Sequence, residues 1–396
     1  MRLAERVKQI APSMTLQVTA KAKQLKAQGV DVVGFGAGEP DFDTPGYIKD
    51  AAKKAIDEGF TKYTPTAGTP ELLKAICEKF ARDNGIEYRP EQVLVSNGAK
   101  HSIYNIVQAL VEPGDQVIMQ APYWVSYPEM VKSAGGTPVI IETGVEQEFK
   151  MTPAQLKAAI TEKTALVILN SPSNPTGAVY SRDQMLGLME VLSARGIPTI
   201  SDEIYEKVLY DGLKHVCVPA LKPEYKEFTF LVNGASKSYS MTGWRIGYLA
   251  GPQDAVGAMR RLQDHSTSNP VSISQKAALA ALTHDESAVR EMVRAFDERR
   301  RYIVDALNAI PGIRCPKPQG AFYVFPDVSD VYGKPLAGGV VVKDSLQLTD
   351  FLLDKVRVAV VPGAAFGNDR CVRLSYATSL ELIKKGIERI AEGLVA

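Results

Sequence analysis

Apolar positions in the middle of the chain fall into short continuous runs, separated by stretches with helical spacing. Residues 93–95 read Val-Leu-Val, the pattern of a buried strand. Behind them Ile103, Ile106, Val107, Leu110 and Val111 recur on one face of a helix. Pro113, Gly114 and Asp115 mark a turn before a second strand at 117–119. Further strands are predicted at 139–141, 165–169, 199–201, 228–232 and 246–250, with helical patterns between most of them. This alternation predicts an α/β domain with a mainly parallel sheet covered on both faces.

After about residue 283 the rhythm changes. A charged helix is predicted over 287–310, then strands at 321–325, 356–361 and 372–374. A closing helix carries Leu380, Ile383, Ile387, Ile390 and Leu394 at helical spacing. That order predicts a smaller α+β domain. The expected division is an N-terminal segment, 1–45, packing with the small domain, then a large domain, 46–283, and the small domain, 284–396. A chain of 396 residues is long enough for both.

Charge and cysteine usage remove several classes of function. Lys plus Arg number 46 against 45 acidic residues, which gives no basic field for nucleic acid and no polybasic membrane anchor. The first fifteen residues lack a secretory apolar core, and no run approaches the ~20 apolar residues of a membrane span. Cys77, Cys217, Cys315 and Cys371 form no CxxC pair, and the four histidines show no metal-ligand spacing. A cytoplasmic, metal-free protein is expected.

In open α/β sheets, ligands bind beyond the carboxyl ends of the strands. Four strand ends here carry specialised residues. Lys237 follows one of them, among small residues with few charges. Desolvation turns such a lysine into a nucleophile suited to Schiff-base chemistry, although most lysines are solvated surface groups. Arg245, eight residues on, could grip a phosphate bidentately. Asp202 closes another strand. A carboxylate there could hold a protonated pyridine nitrogen, or simply cap the next helix. Tyr205, three residues later, faces the same side if a helical turn follows, but amphipathic packing also accounts for it. Asn174 lies in a turn made rigid by Pro172, Pro175 and Gly177. Gly98 and Ala99 join a strand to a helix, where free N–H groups attract phosphate. This segment matches neither a GxGxxG nor a Walker pattern, and Glu39 spoils the dinucleotide pattern that begins at Gly34. Trp124 could stack on an aromatic ring or belong to the core. Arg373, alternating with apolar residues, reads as a fork awaiting a carboxylate or as half of an internal salt bridge.

Together these residues resemble the fold-type I pyridoxal phosphate (PLP) enzymes, the class I/II aminotransferases, and in particular the bacterial aspartate aminotransferases of subgroup Ib. The resemblance runs over essentially the whole chain. Its anchors are Gly38 to Phe42, Tyr63, Pro122 to Glu129, Asn174 to Gly177, Asp202 to Tyr205, Ser236-Lys237 with Arg245, and Arg373 to Ala377. The resemblance implies that Lys237 carries PLP as a Schiff base and, once freed, moves a proton at the substrate's Cα. Asp202 is then expected at the pyridinium, Asn174 and Tyr205 at the ring oxygen, and Trp124 stacked on the ring. Gly98, Ala99, Ser236 and Arg245 are expected around the phosphate, joined by Tyr63 from the second subunit of a homodimer. Arg373 is expected to bind the substrate α-carboxylate, helped by Gly38 and Asn174. Lys100, with Ser13 and Thr15, is expected to meet the distal carboxylate of aspartate, with 2-oxoglutarate as amino acceptor.

Departures are few. Gly234 stands where some relatives place a phosphate-binding Ser, and Ala11 stands where prephenate-using members tend to have a basic residue. Residues 327–342 match the family poorly. The rival readings are an aromatic, alanine or aspartate/prephenate aminotransferase on the same scaffold, a PLP lyase or decarboxylase, and a non-catalytic PLP-binding regulator.

Overall fold

A computed structural model describes residues 2–394. Its centre is a seven-stranded sheet of β1 (Val93–Ser96), β2 (Gln116–Ala121), β3 (Thr137–Glu142), β4 (Thr164–Asn170), β5 (Thr199–Asp202), β6 (Thr229–Gly234) and β7 (Gly247–Ala250). The strand order is β1-β7-β6-β5-β4-β2-β3. Strand β7 runs antiparallel to both neighbours, and the remaining pairs are parallel.

The sheet is buried on both faces because successive side chains of each strand point to opposite sides and both sides are covered. Leu94, Val117, Ile200 and Val232 pack with Ile103, Ile106 and Val107 of the helix Ala99–Leu110. Val93, Val95 and Leu231 pack on the other face, with Leu72, Ile76 and Ala278. Ile118, Val167 and Leu169 meet Met185, Leu188 and Met189 of the helix Arg182–Ser193. That helix starts cleanly, since Ser181 and Gln184 form a reciprocal capping box.

The last third of the chain builds an antiparallel sheet of β8 (Tyr323–Val324), β9 (Val361–Pro362) and β10 (Val372–Ser375), in the order β9-β10-β8. Ile383, Ile387 and Ile390 of the closing helix Leu380–Leu394 pack with Phe296 and Ile303 of the helix Ser287–Asn308. The N-terminal residues Val33–Gly34 pair in parallel with Val358–Ala359, and Ala22 and Val32 pack on Leu353 and Ala359.

Two predicted strands are shorter than their apolar runs. Residues 321–325 contribute only Tyr323–Val324, because Ala321 takes a positive φ of 55°. Residues 356–361 do not form one strand. Val356 ends a π-helical turn, Arg357 sits at φ 64°, and two short strands follow on either side of Val360.

The fold sets the chemistry-bearing strand ends side by side. Asn170 is in register with Asp202, and Asp202 with Val232. Gly247 lets β7 touch the start of the helix Ala99–Leu110, since a Cβ there would lie 2.1 Å from the Ala99 nitrogen.

Candidate active site

A cavity of about 540 Å³ opens at these strand ends. It gathers most of the residues singled out in the sequence. Lys237, Asp202, Tyr205, Asn174, Arg373 and Trp124 line it. So do Gly38, Ala99, Lys100, Ser236, Arg245 and Thr15. Gly98 lies directly behind Arg245, so that a Cβ on it would meet the guanidinium at 2.3 Å. Ser13 reaches the wall through Thr15, with the two hydroxyls 2.9 Å apart. Tyr63 does not line the cavity and stands 92% exposed.

Lys237 sits in the short helix Ala235–Ser238 that follows β6. Its Nζ donates to the carbonyl of Gly38 and lies 5.9 Å from the rings of Tyr205 and Phe322. Burial pulls its ammonium down to about 8, with the Arg373 and Arg245 charges pushing the same way against Glu39 and Asp202. A substantial fraction of the amine is therefore neutral near pH 8, as a nucleophile or a proton carrier requires.

Asp202 is 4% exposed. Burial raises its carboxyl to about 6, opposed by a hydrogen bond from Tyr127 and by the Ile204 N–H. Tyr127 Oη donates to Oδ2 at 2.6 Å, and Ile204 N donates to Oδ1 at 3.2 Å. A buried carboxylate held by two neutral donors, with Lys237 only at a distance, suits a cationic partner in the cavity.

Arg373 is 3% exposed and projects from β10. Its Nη1 donates to Asn174 Oδ1 at 3.0 Å and its Nη2 to the Gly36 carbonyl at 2.8 Å. The Nε has no partner. Gly36 is thus a backbone contact of this fork. Because Asn174 gives its carbonyl oxygen to Arg373, its amide nitrogen is left to donate elsewhere. Arg373 also lies against the Tyr323 ring, 4.6 Å from its centroid.

At the other end of the cavity, Arg245 exposes its guanidinium beside the first turn of the helix Ala99–Leu110. Its Nη2 donates to the Asn97 carbonyl at 3.1 Å. Lys100 Nζ stands 4.9 Å from the Trp124 ring centroid. Partial burial and the Arg245 charge draw its ammonium below the usual lysine value.

Three further residues take part without a role assigned to them from the sequence. Tyr127 lies inside the Pro122–Glu129 anchor, three residues after Trp124 and one turn along, so both can face one site. Tyr323 pairs its hydroxyl with that of Tyr205 at 2.9 Å, across 118 residues of chain. Asn170 donates to the Asp202 carbonyl at 3.0 Å and accepts the Asn174 N–H at 2.9 Å, which fixes the turn between them.

A phosphorylated pyridine aldehyde fits this arrangement. A desolvated lysine stands between a buried carboxylate without its cation and a helix N-terminus flanked by an arginine. The sequence profile of the family described as "Aminotransferase class I and II" matches residues 30–390. The chain belongs to that family. The protein is therefore a PLP-dependent transaminase. It is 53% identical over 390 residues to an aspartate aminotransferase of Geobacillus stearothermophilus, covering 98% of each chain. It is 50% identical to an aspartate/prephenate aminotransferase of Cereibacter sphaeroides, over 98% of this chain and 97% of that one. The crystal structure of the aspartate aminotransferase from Rhizobium meliloti superposes with a TM-score of 0.96 at 44% identity, covering 100% and 99% of the two chains. Among the described residues no helix of this transaminase is long and apolar enough to cross a membrane. The relatives are named as aminotransferases, which stands against a non-catalytic regulator.

Proposed function

We propose that this transaminase reversibly moves the amino group of L-aspartate to 2-oxoglutarate, giving oxaloacetate and L-glutamate. The observation that carries the substrate is the pair of cations in one cavity. Arg373 lies in its wall with a free Nε, and Lys100 stands against Trp124. An amino acid with two carboxylates satisfies both. The names of the relatives at 53% and 50% identity support aspartate as donor.

When bound, pyridoxal phosphate supplies a conjugated ring that accepts the electron pair released at the amino acid's Cα. In this reading Asp202 would hold the ring nitrogen in its protonated form. Asn174 and Tyr205 would donate to the ring oxygen, and Trp124 would supply a face for the ring. Gly98, Ala99, Ser236 and Arg245 hold the phosphate. Lys237 would be the amine that holds the cofactor's aldehyde end and would carry the proton at Cα. Arg373 orients the α-carboxylate, while Lys100, with Ser13 and Thr15, receives the distal one.

The same reading places residues 46–283 in a large cofactor domain, and 284–396 with the segment 1–45 in a small one. It makes the enzyme a homodimer, in which the partner subunit's Tyr63 completes the phosphate site. The 92% exposure of Tyr63, with Leu16 at 69% and Val271 at 51%, fits apolar surface that a second copy covers. Four unpaired cysteines fit a cytoplasmic enzyme.

The deciding experiment compares turnover of aspartate, alanine and phenylalanine with 2-oxoglutarate. Aspartate is expected to be the best donor, and any other ranking rejects the substrate assignment. Prephenate, offered as acceptor with aspartate as donor, tests the broader activity named for the Cereibacter relative. For the lysine, borohydride reduction of the loaded enzyme should fix the cofactor on the peptide containing Lys237. Label on another peptide would overturn that role.

A further inference from the structure

Directly behind the cavity lies a buried cluster of charges that the reaction does not touch. The backbone from Asp202 to Tyr205 turns as Ile204–Lys207, outside regular structure. Asp202 and Tyr205 line the cavity, whereas Glu203 and Glu206 do not and are buried apart from it. Glu203 is 1% exposed, Glu206 5% and Lys79 1%. Glu203 Oε1 accepts from Ser201 Oγ at 2.7 Å and from Val218 N at 3.0 Å, and Oε2 lies 2.5 Å from His215 Nε2. Glu206 pairs with Lys79 and accepts from Asn84 Nδ2 at 2.9 Å, while Lys79 donates to Asn84 Oδ1 at 2.8 Å.

Burying so many charges is costly, and apolar residues of similar size often serve stability as well. The pins these groups supply are what an apolar cluster would lack. One residue after Asp202, the Glu203 side chain ties the turn to strand β5 through Ser201 and to the segment 215–218. One residue after Tyr205, Glu206 ties it to the helix Pro70–Lys79. The two functional side chains are thus fixed from behind by their immediate neighbours. Cofactor sites need such fixing to within about 0.5 Å.

We propose that the Glu203–His215 pair, braced by Glu206 and Lys79, is a positioning device that holds the Asp202–Tyr205 turn against the cofactor. This rests on the PLP reading of the cavity. The electrostatics support it. Glu203 and Glu206 favour a positive charge on His215, and Lys79 opposes it. Burial opposes that charge, yet Glu203 and Glu206 outweigh it and raise the imidazole above its usual value. Glu206, also opposed by burial, is held down to about 2 by Lys79, His215 and Lys207. Other groups face the pair as well. Cys217 lies on the segment of His215, and Asp83, Lys150, Arg182 and Lys214 line the cleft into which the His215 edge opens.

The test uses the full chain, stripped of and reloaded with PLP, as parent, His215→Leu, His215→Gln and Glu203→Gln. Cofactor dissociation constants and the pH titration of the bound cofactor's visible absorbance are measured beside melting temperature. His215→Leu and Glu203→Gln are expected to weaken PLP binding about tenfold, the size of one charge-assisted hydrogen bond. His215→Gln, which keeps a donor to Glu203, should recover most of that affinity with a displaced absorbance titration. Parent-like affinity and titration in the variants, whatever their melting temperatures, would overturn the proposal. If His215→Leu fails to fold, Glu203→Gln and His215→Gln decide by the same criterion. A parent that does not bind PLP would instead reject the reading of the cavity.

Discussion

Tyr127 donates its hydroxyl to the Asp202 carboxylate at 2.6 Å inside the active-site cavity. Asp202 is therefore held by two donors, a phenol and the Ile204 N–H, before any cation reaches it. Burial works against the charged form and these donors work for it. Tyr127→Phe removes the stronger support, so Asp202 should ionise less readily and PLP should bind less tightly. A hydrogen bond to a charged group contributes about 1.5–3 kcal/mol, so at least about a tenfold loss of cofactor affinity is expected. Titration of the stripped enzyme with PLP, followed by absorbance, measures it. Unchanged affinity would show that the Tyr127 bond does not control Asp202.

Without the cofactor, Asp202 should be a liability near neutral pH. Its folded-state value is raised from 3.8 to about 6, so its folded form prefers the proton. The stability it contributes is fully present below about 4 and is lost as pH rises through about 6. The difference corresponds to about 3 kcal/mol above pH 6 at this burial. Cofactor-free Asp202→Asn should therefore melt higher than the cofactor-free parent at pH 8, and the gap should close at pH 4. Equal melting of the two at pH 8 would mean that the carboxylate is stabilised by groups other than Tyr127 and Ile204.

Asp202 and Lys237 are legible in sequence because one closes a predicted strand and the other follows one closely, among small residues with few charges. Arg373 is legible by its alternation with apolar neighbours. Tyr323 is not, because its meaning comes from Tyr205, and only the packing of the small antiparallel sheet brings the two hydroxyls together. The run at 356–361 misleads for a local reason. Its β-branched residues look like one strand, but Arg357 takes a left-handed conformation to end a π-helical turn, which breaks the run. Tyr63 reads clearly as a motif residue, yet in one copy of the chain it stands exposed and outside the cavity lining.

Gly247 should be the backbone position on which the phosphate end depends. A Cβ there would meet the Ala99 nitrogen at 2.1 Å and the Gly98 carbonyl carbon at 2.3 Å. Both are main-chain atoms of the first helical turn and cannot rotate away. Gly247→Ala should cost about 1–3 kcal/mol through overpacking and should also weaken PLP binding by displacing that turn. Gly257→Ala is the contrasting variant. Its Cβ would enter open space inside the helix Gln253–Asp264, so a gain of about 0.5–1 kcal/mol is expected there, with PLP affinity unchanged. Melting temperature and PLP titration of both proteins check the pair.

The proposed choice of substrate rests on Lys100, and two candidate roles for it separate experimentally. Its ammonium lies over Trp124 and is drawn down by partial burial and by Arg245, which leaves it a cation still seeking a counter-charge. If the distal carboxylate of aspartate is that counter-charge, Lys100→Ala should lower kcat/KM for aspartate by about ten- to a hundredfold, the range of a charge-assisted hydrogen bond. Alanine, which has no distal carboxylate, should keep its kcat/KM, because Arg373 still receives the α-carboxylate. Equal losses for both donors would give Lys100 a different meaning. Its contact with the Trp124 ring would then matter more than its charge, and the indole would have lost its place over the cofactor. In that case Lys100→Met, which fills the same space without charge, should restore activity toward both donors, whereas under the substrate assignment it should restore neither affinity for aspartate nor its preference over alanine.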